Sequence, residues 1–164
     1  MTKLDVIQGT RIFQGLSTEQ LHKLDSISRE ETYAAGQYIF REGDQARSLY
    51  IIEEGKVILE MRIAPLPKHR LSPQATVDAL IKGDIVGWSA LVEPHIFTFS
   101  AQAVDKCKLV ALDGTELLKF MDADPVMGYE IMRRLSEVIA SRLTHTRQTL
   151  ISERGLALLS QAYP

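Results

Sequence analysis

The chain has one cysteine and one tryptophan in 164 residues. A lone thiol excludes an internal disulfide framework, and also a four-thiolate iron–sulfur site supplied by this chain alone. Cys107 sits in the run DKCKLVAL, which reads as a strand, where a free cysteine is expected to be a small buried apolar residue. Surplus charge of one sign is lacking too: 19 Lys and Arg stand against 21 Asp and Glu, a formal net charge of −2. Without a basic excess there is no electrostatic footprint for nucleic acid. The opening MTKLDVIQGTRIFQGL holds no apolar run long enough for a signal peptide or a spanning helix, so a cytoplasmic protein without membrane contact is expected. Clustered metal ligands are missing as well. His22, His69, His95 and His145 are scattered over a helix, two loops and another helix. With no nucleophile–base motif or P-loop beside them, neither a metal site nor a catalytic residue is expected, and the chain is not expected to be an enzyme.

What is present is the balance of an ordinary soluble protein, 45% hydrophobic and 24% charged, in a length that suits one domain. The segment STEQLHKLDSIS predicts a short helix capped by Ser17 or Thr18, with Leu16, Leu21, Leu24 and Ile27 on one apolar stripe. His22 falls between those positions and reads as a surface residue. From Glu31 the texture changes to short β-rich runs broken at Gly36, Gly43-Asp44 and Gly55. Tyr50, Ile51 and Ile52 predict a buried strand, and Gly55 turns it into KVILEMRI. Residues 64–75, APLPKHRLSPQA, carry three prolines and read as a long hairpin connection at a sheet edge. Its Lys68-His69-Arg70 triplet reads as a solvated basic turn. Strands resume at TVDALIKGDIVG and FTFSAQAVDKCKLVALD.

After Asp113 the pattern becomes helical. GTELLKFMDADP predicts a short helix with Thr115 as its cap, ending before Pro125. From Pro125 to about Glu153 one long helix is expected, with Ile131, Leu135, Val138, Ile139 and Leu143 forming an apolar stripe. At 1.5 Å per residue this is a rod of about 42 Å, longer than so small a domain can cover. A two-fold partner is the expected cover, giving a homodimer through residues 125–153. The expected organisation is an N-terminal helix and β-barrel over 1–113, C-terminal helices over 114–153 and a tail over 154–164, one domain overall.

This order resembles the cyclic-nucleotide-binding domain family, which includes catabolite activator protein and the regulatory subunits of cyclic-AMP-dependent kinase. Specific residues carry the likeness: Ile39, Gly43, Asp44, Leu49, Tyr50, Ile51, Ile52 and Gly55 in YIFREGDQARSLYIIEEGKVIL, then IKGDIVGWSAL, similar to the start of the family's phosphate-binding cassette. The likeness spans roughly residues 10–150. It implies a mainly β fold, a double-stranded β-helix (jelly-roll) barrel with a short N-terminal helix and a long C-terminal dimerisation helix.

In such a cassette a glycine lets the backbone approach a cyclic phosphate, and the turn after it presents unpaired N–H groups to the anion. The family adds a Glu for the ribose hydroxyl and an Arg for the phosphate. Here Gly87, Ala90 and Leu91 match, but Trp88 stands at the Glu position with Ser89 after it, and Phe97 stands at the Arg position. Charge-assisted hydrogen bonds contribute about 1.5–3 kcal/mol each, so losing both contacts implies two or more decades of affinity. Ser89, Thr98 and Ser100 offer hydroxyls, while Trp88, Phe97 and Phe99 offer a wall or a stacking face. By position on the long helix, Thr146 and Arg147 stand where family members contact the base.

The resemblance therefore implies a regulatory ligand-sensing module that signals through its C-terminal helix. Its ligand would be a cyclic nucleotide, cAMP or cGMP, bound weakly, or another small anion bound with altered specificity. Two alternatives stay open. One is a ligand-free dimeric interaction module. The other is the sensor part of a transcription regulator lacking its DNA-binding domain. Residues 154–164 alone follow the long helix, so direct nucleic-acid binding by this chain is not expected.

Overall fold

A computed structural model describes residues 1–62 and 74–162. The basic triplet Lys68-His69-Arg70 lies outside the described residues, as does most of the connection expected at 64–75. Two helices open the chain, α1 (Lys3–Gly9) and α2 (Thr18–Ser26), separated by a 3₁₀ turn over Arg11–Phe13. Eight strands follow: β1 (Ser28–Tyr33), β2 (Tyr38–Phe40), β3 (Ser48–Glu54), β4 (Val57–Arg62), β5 (Gln74–Leu80), β6 (Ile85–Val86), β7 (Ser100–Ala103) and β8 (Cys107–Asp113). A second 3₁₀ turn, Trp88–Leu91, leaves β6, and α3 (Gly114–Ala123) and α4 (Pro125–Ala162) close the described chain.

The strands form two antiparallel four-stranded sheets, ordered β1-β8-β3-β6 and β2-β7-β4-β5. This is the jelly-roll-like arrangement that the sequence implied. In the first sheet β3 and β8 are buried on both faces, so the two-residue alternation of a strand supplies two cores rather than one. Leu49, Ile51, Val110 and Leu112 point to a core shared with the helices. Their neighbours Tyr50, Ile52, Leu109 and Ala111 point to a core between the two sheets. Cys107 belongs to that inter-sheet core and is fully buried, as its strand context suggested.

The helices pack where their sequences dictate. Ser17 caps α2 by accepting from the Gln20 amide while the Gln20 side chain accepts from the Ser17 amide, a reciprocal capping box. Leu21 and Leu24 of the expected stripe are buried, with Leu16 and Ile27 packed at their margin. α1 has no counterpart among the expected helices; Thr2 and Asp5 form a capping box there as well. The cap of α3 is Asp113 rather than Thr115, because the Asp113 carboxylate accepts the Glu116 amide at 2.9 Å.

α4 runs 38 residues to Ala162, roughly 57 Å at 1.5 Å per residue. It takes in the segment expected as a tail, since GLALLSQA contains no proline to stop a helix. Met127, Ile131 and Leu135 dock its first turns into the helical core. Gly128 permits this approach, because a Cβ there would stand 2.9 Å from the Met121 carbonyl oxygen. Beyond Ile139 the described side chains of α4 are mostly exposed, and Arg142 is an exception.

Asp124 joins α2 to the start of α4, its carboxylate accepting from Gln20 Nε2 at 2.8 Å and from the Met127 amide at 3.1 Å. These bonds hold its carboxyl below the ordinary range, the Gln20 bond foremost. A depressed carboxyl stabilises the fold above its unfolded pKa, and that contribution is lost as pH falls through the folded value. Asp124→Ala is expected to lower the thermal midpoint by about 2–4 °C at neutral pH. Calorimetry at neutral and acid pH should show the gap from wild type narrowing in acid.

Candidate functional site

The site is built where the first sheet hands over to the Trp88–Leu91 turn. Gly83 donates its amide to Ile52 O at 2.8 Å and Ile52 donates to Asp84 O at 3.0 Å, fixing the approach to β6. β6 then pairs with β3, Val86 opposite Tyr50 and Ile85 opposite Ile51. At Gly87 the chain adopts φ 85°, a left-handed conformation that glycine accepts without strain. A side chain there would also collide: a Cβ would lie 2.9 Å from Ser48 O and 3.2 Å from Phe97 Cε1. Ala90 and Leu91 anchor the turn from its inner side, one in each core.

Opposite the turn, residues 95–97 are pinned to the 43–46 corner. Ala46 donates to His95 O at 2.7 Å, Phe97 donates to Asp44 O at 2.9 Å, and Gly43 donates to Phe97 O at 2.8 Å. This places the Phe97 ring inward, 4% exposed. It stacks on Phe40 with centroids 3.7 Å apart and planes 10° from parallel, and Phe40 in turn stacks on Tyr50 at 5.9 Å. The aromatic at the position where the resemblance puts Arg therefore belongs to a packed column of rings.

Six of the candidate residues, Gly87, Trp88, Ser89, Phe97, Thr98 and Phe99, share the lining of one cavity with Phe40, Leu59, Val86 and Arg142. Its volume is about 20 Å³, room for roughly one water molecule. Ser100 stands apart, buried in β7 with its hydroxyl accepting from the Glu42 amide at 2.9 Å. Thr146 and Arg147 line a separate surface recess with Leu143 and Thr144.

Arg142 was not among the residues singled out from the sequence, yet it links α4 to this cavity. Its guanidinium carbon lies 4.6 Å from the centroid of the Trp88 ring, a cation–π contact. Nη2 donates to the Ile85 carbonyl oxygen. Nε stands 3.9 Å from Asp78 Oδ2 on β5, and both side chains are largely withdrawn from solvent, at 14% and 13% exposure. Asp78 Oδ1 also lies 3.6 Å from Nδ1 of His145, which carries charge only when protonated. Nη1 of Arg142 is buried with no hydrogen-bond partner among the described residues. Burial pushes the guanidinium below its ordinary pKa, against the opposing pull of Asp78 and then Asp84. On the far side of Arg142 a second cleft of about 380 Å³ opens between the Arg11–Phe13 turn, β5 and α4. A signal for Arg142 was available in the sequence. Positions 131, 135, 138 and 142 continue one helical stripe, and Arg is the charged residue on it.

A barrel of two antiparallel sheets, a glycine-led turn after a short strand and a long terminal helix define a ligand-binding regulatory fold. Residues 30–124, from β1 through α3, match the cyclic nucleotide-binding domain family, and the chain belongs to that family. It is 27% identical over 137 residues to the cyclic AMP receptor protein of Thermus thermophilus, covering 84% of this chain and 59% of that protein. The crystal structure of catabolite activator protein from the same organism superposes with a TM-score of 0.65 at 26% identity, covering 92% of this chain and 63% of that one. A cyclic nucleotide-binding domain from Methylobacillus flagellatus superposes with a TM-score of 0.75 at 19% identity, over 92% and 81% of the two chains, which shows the common fold. The chain spans about three-fifths of the length of its relatives in Thermus thermophilus and Mycobacterium tuberculosis, 59% and 61%. Among the described residues no helix is long and apolar enough to cross a membrane.

Phe97 is a packing residue as well as a site residue. Phe97→Ala is expected to cost about 3–5 kcal/mol of stability, the range for truncating a buried phenylalanine. Urea denaturation measures that loss.

Proposed function

We propose that this chain is a ligand-sensing regulatory module that binds a cyclic nucleotide weakly, or another small anion with altered specificity, and signals through α4. The contact of Arg142 with Trp88 carries this reading. It ties the signalling helix to the first residue of the cassette turn, so a ligand that enters must alter how α4 lies on the barrel. A cavity of about 20 Å³ is far below the 300 Å³ or more of ordinary ligand pockets. Binding therefore requires the Phe97 ring and Arg142 to move, and an open state that is seldom populated lowers the expected affinity.

The exposed face of α4 supports a homodimer through residues 125–153. Tyr129 is 66% exposed and Leu143 69%, with Met132 between them also uncovered. Positions 129, 132, 136, 139, 143 and 146 follow alternating three- and four-residue steps, the spacing of a two-helix seam. The names of the relatives in Thermus thermophilus and Mycobacterium tuberculosis, a cyclic AMP receptor protein and a cAMP-activated transcriptional regulator, are consistent with a sensor role within a larger regulatory system. Direct DNA or membrane binding by these residues forms no part of the proposal, nor does a catalytic step.

The stacked Phe97–Phe40 pair and the small cavity favour one second reading, a ligand-free dimeric interaction module. The two separate in a thermal-shift experiment with cAMP and cGMP. The sensing reading predicts a midpoint that rises and saturates with one of them, because a ligand bound only by the folded state stabilises it by mass action. A flat response to both across millimolar concentrations favours the interaction module. For either reading, light scattering is expected to give a dimer of 18.4 kDa chains. Tyr129→Glu combined with Leu143→Glu is expected to return the monomer mass.

A further inference from the structure

We infer that Arg142 is the anion-recognising side chain of this cassette, held in reserve by Asp78 until a ligand claims it. The inference rests on the sensing reading and gives that site a charged group which its barrel residues lack. Phe97 fills the place where the resemblance puts Arg, and the other residues lining the cavity, from Phe40 to Phe99, carry no charge apart from Arg142. Arg142 reaches the same cavity from α4. Its partners are arranged as for a group in waiting: Nη2 bonds the Ile85 carbonyl oxygen, Nε stands a loose 3.9 Å from Asp78, and Nη1 is buried without a partner among the described residues.

A guanidinium has five N–H donors in a rigid fork, and a phosphodiester oxygen pair matches two of them. A cation with an unpaired buried N–H gains more from such an anion than a solvated one does, since its desolvation has already been met in the empty state. Asp78 competes for the same charge from β5, and Asp84 lies on the neighbouring turn. The ligand class is therefore a monoanion, such as a cyclic phosphodiester, whose ring faces Trp88. Exchange of Arg142 from Asp78 to the ligand would shift α4 directly, because the recognising residue is part of the helix.

Trp88 is the single tryptophan, so its fluorescence reports on this site alone. The experiment titrates wild type, Arg142→Gln, Asp78→Asn and the double variant with cAMP and cGMP, and measures quenching of Trp88 by iodide and by caesium. Arg142→Gln is expected to weaken nucleotide binding about tenfold or more, the loss of one charge-assisted contact, and to abolish any preference for iodide over caesium. Asp78→Asn is expected to do the opposite, tightening binding severalfold and raising the iodide preference. The gain should vanish in the double variant, because it acts through Arg142. Arg142→Lys, which keeps the charge, should keep the iodide preference and so separates charge recognition from a packing defect.

Loss of binding in both single variants would make the Arg142–Asp78 pair structural and overturn the inference. So would a gain from Asp78→Asn that persists without Arg142. Equal nucleotide affinity in wild type and Arg142→Gln would leave the sensing reading standing and remove Arg142 from it. Absence of nucleotide binding in wild type would overturn the inference together with the sensing reading, whatever the iodide pattern, which reports only the positive charge beside Trp88.

Discussion

A helix that carries a guanidinium into a protein's interior must bring it to partners, because an unpaired buried charge is far costlier than an exposed one. In this chain that requirement sets how α4 meets the barrel. Met127, Ile131 and Leu135 dock the helix by apolar burial, and about two turns further along the same stripe comes Arg142. Its charge is met by the Ile85 carbonyl, the Asp78 carboxylate and the face of Trp88. Ile85 and Trp88 flank Gly87, the left-handed residue that starts the cassette turn. Arg142 thus adds a polar contact between helix and cassette to the core that Ile85, Leu91 and Trp88 share with Met127, Ile131 and Leu135.

The barrel makes the other half of this coupling rigid. β3 and β8 are packed on both faces, and β6 and the cassette turn hang from β3 through the Tyr50–Val86 and Ile51–Ile85 pairs. A strand embedded between two cores cannot shift to make room for a ligand without disturbing both. The part least enclosed by this frame is α4 beyond Ile139, where the described side chains are mostly exposed.

The barrel was legible in the sequence because glycine corners and short β-branched runs are strong local signals. Gly87 and its turn were legible through family likeness, and Ser17 through its pairing with Gln20. Other features were less accessible. α1 is only seven residues long, with its cap at Thr2, and too short for a clear apolar period. Thr115 and Asp113 both suit a helix cap, and only the geometry of the Glu116 amide decides between them. The end of α4 was set too early because Glu153-Arg154-Gly155 resembles a stop, although glycine weakens a helix without ending it. The role of Arg142 was missed for a different reason. Its partner Asp78 is 64 positions away on β5, and no local pattern reports a contact across the molecule. The sequence does show a charge on an apolar stripe, which is a request for a partner without an address.

The central claim is that Arg142 and Trp88 act on each other, so that α4 and the cassette are energetically coupled. A double-mutant cycle on stability, with Arg142→Gln, Trp88→Leu and the pair together, measures that coupling directly. A cation–π contact withdrawn from solvent predicts a coupling of about 0.5–2 kcal/mol. Additivity of the two substitutions within about 0.3 kcal/mol would contradict it.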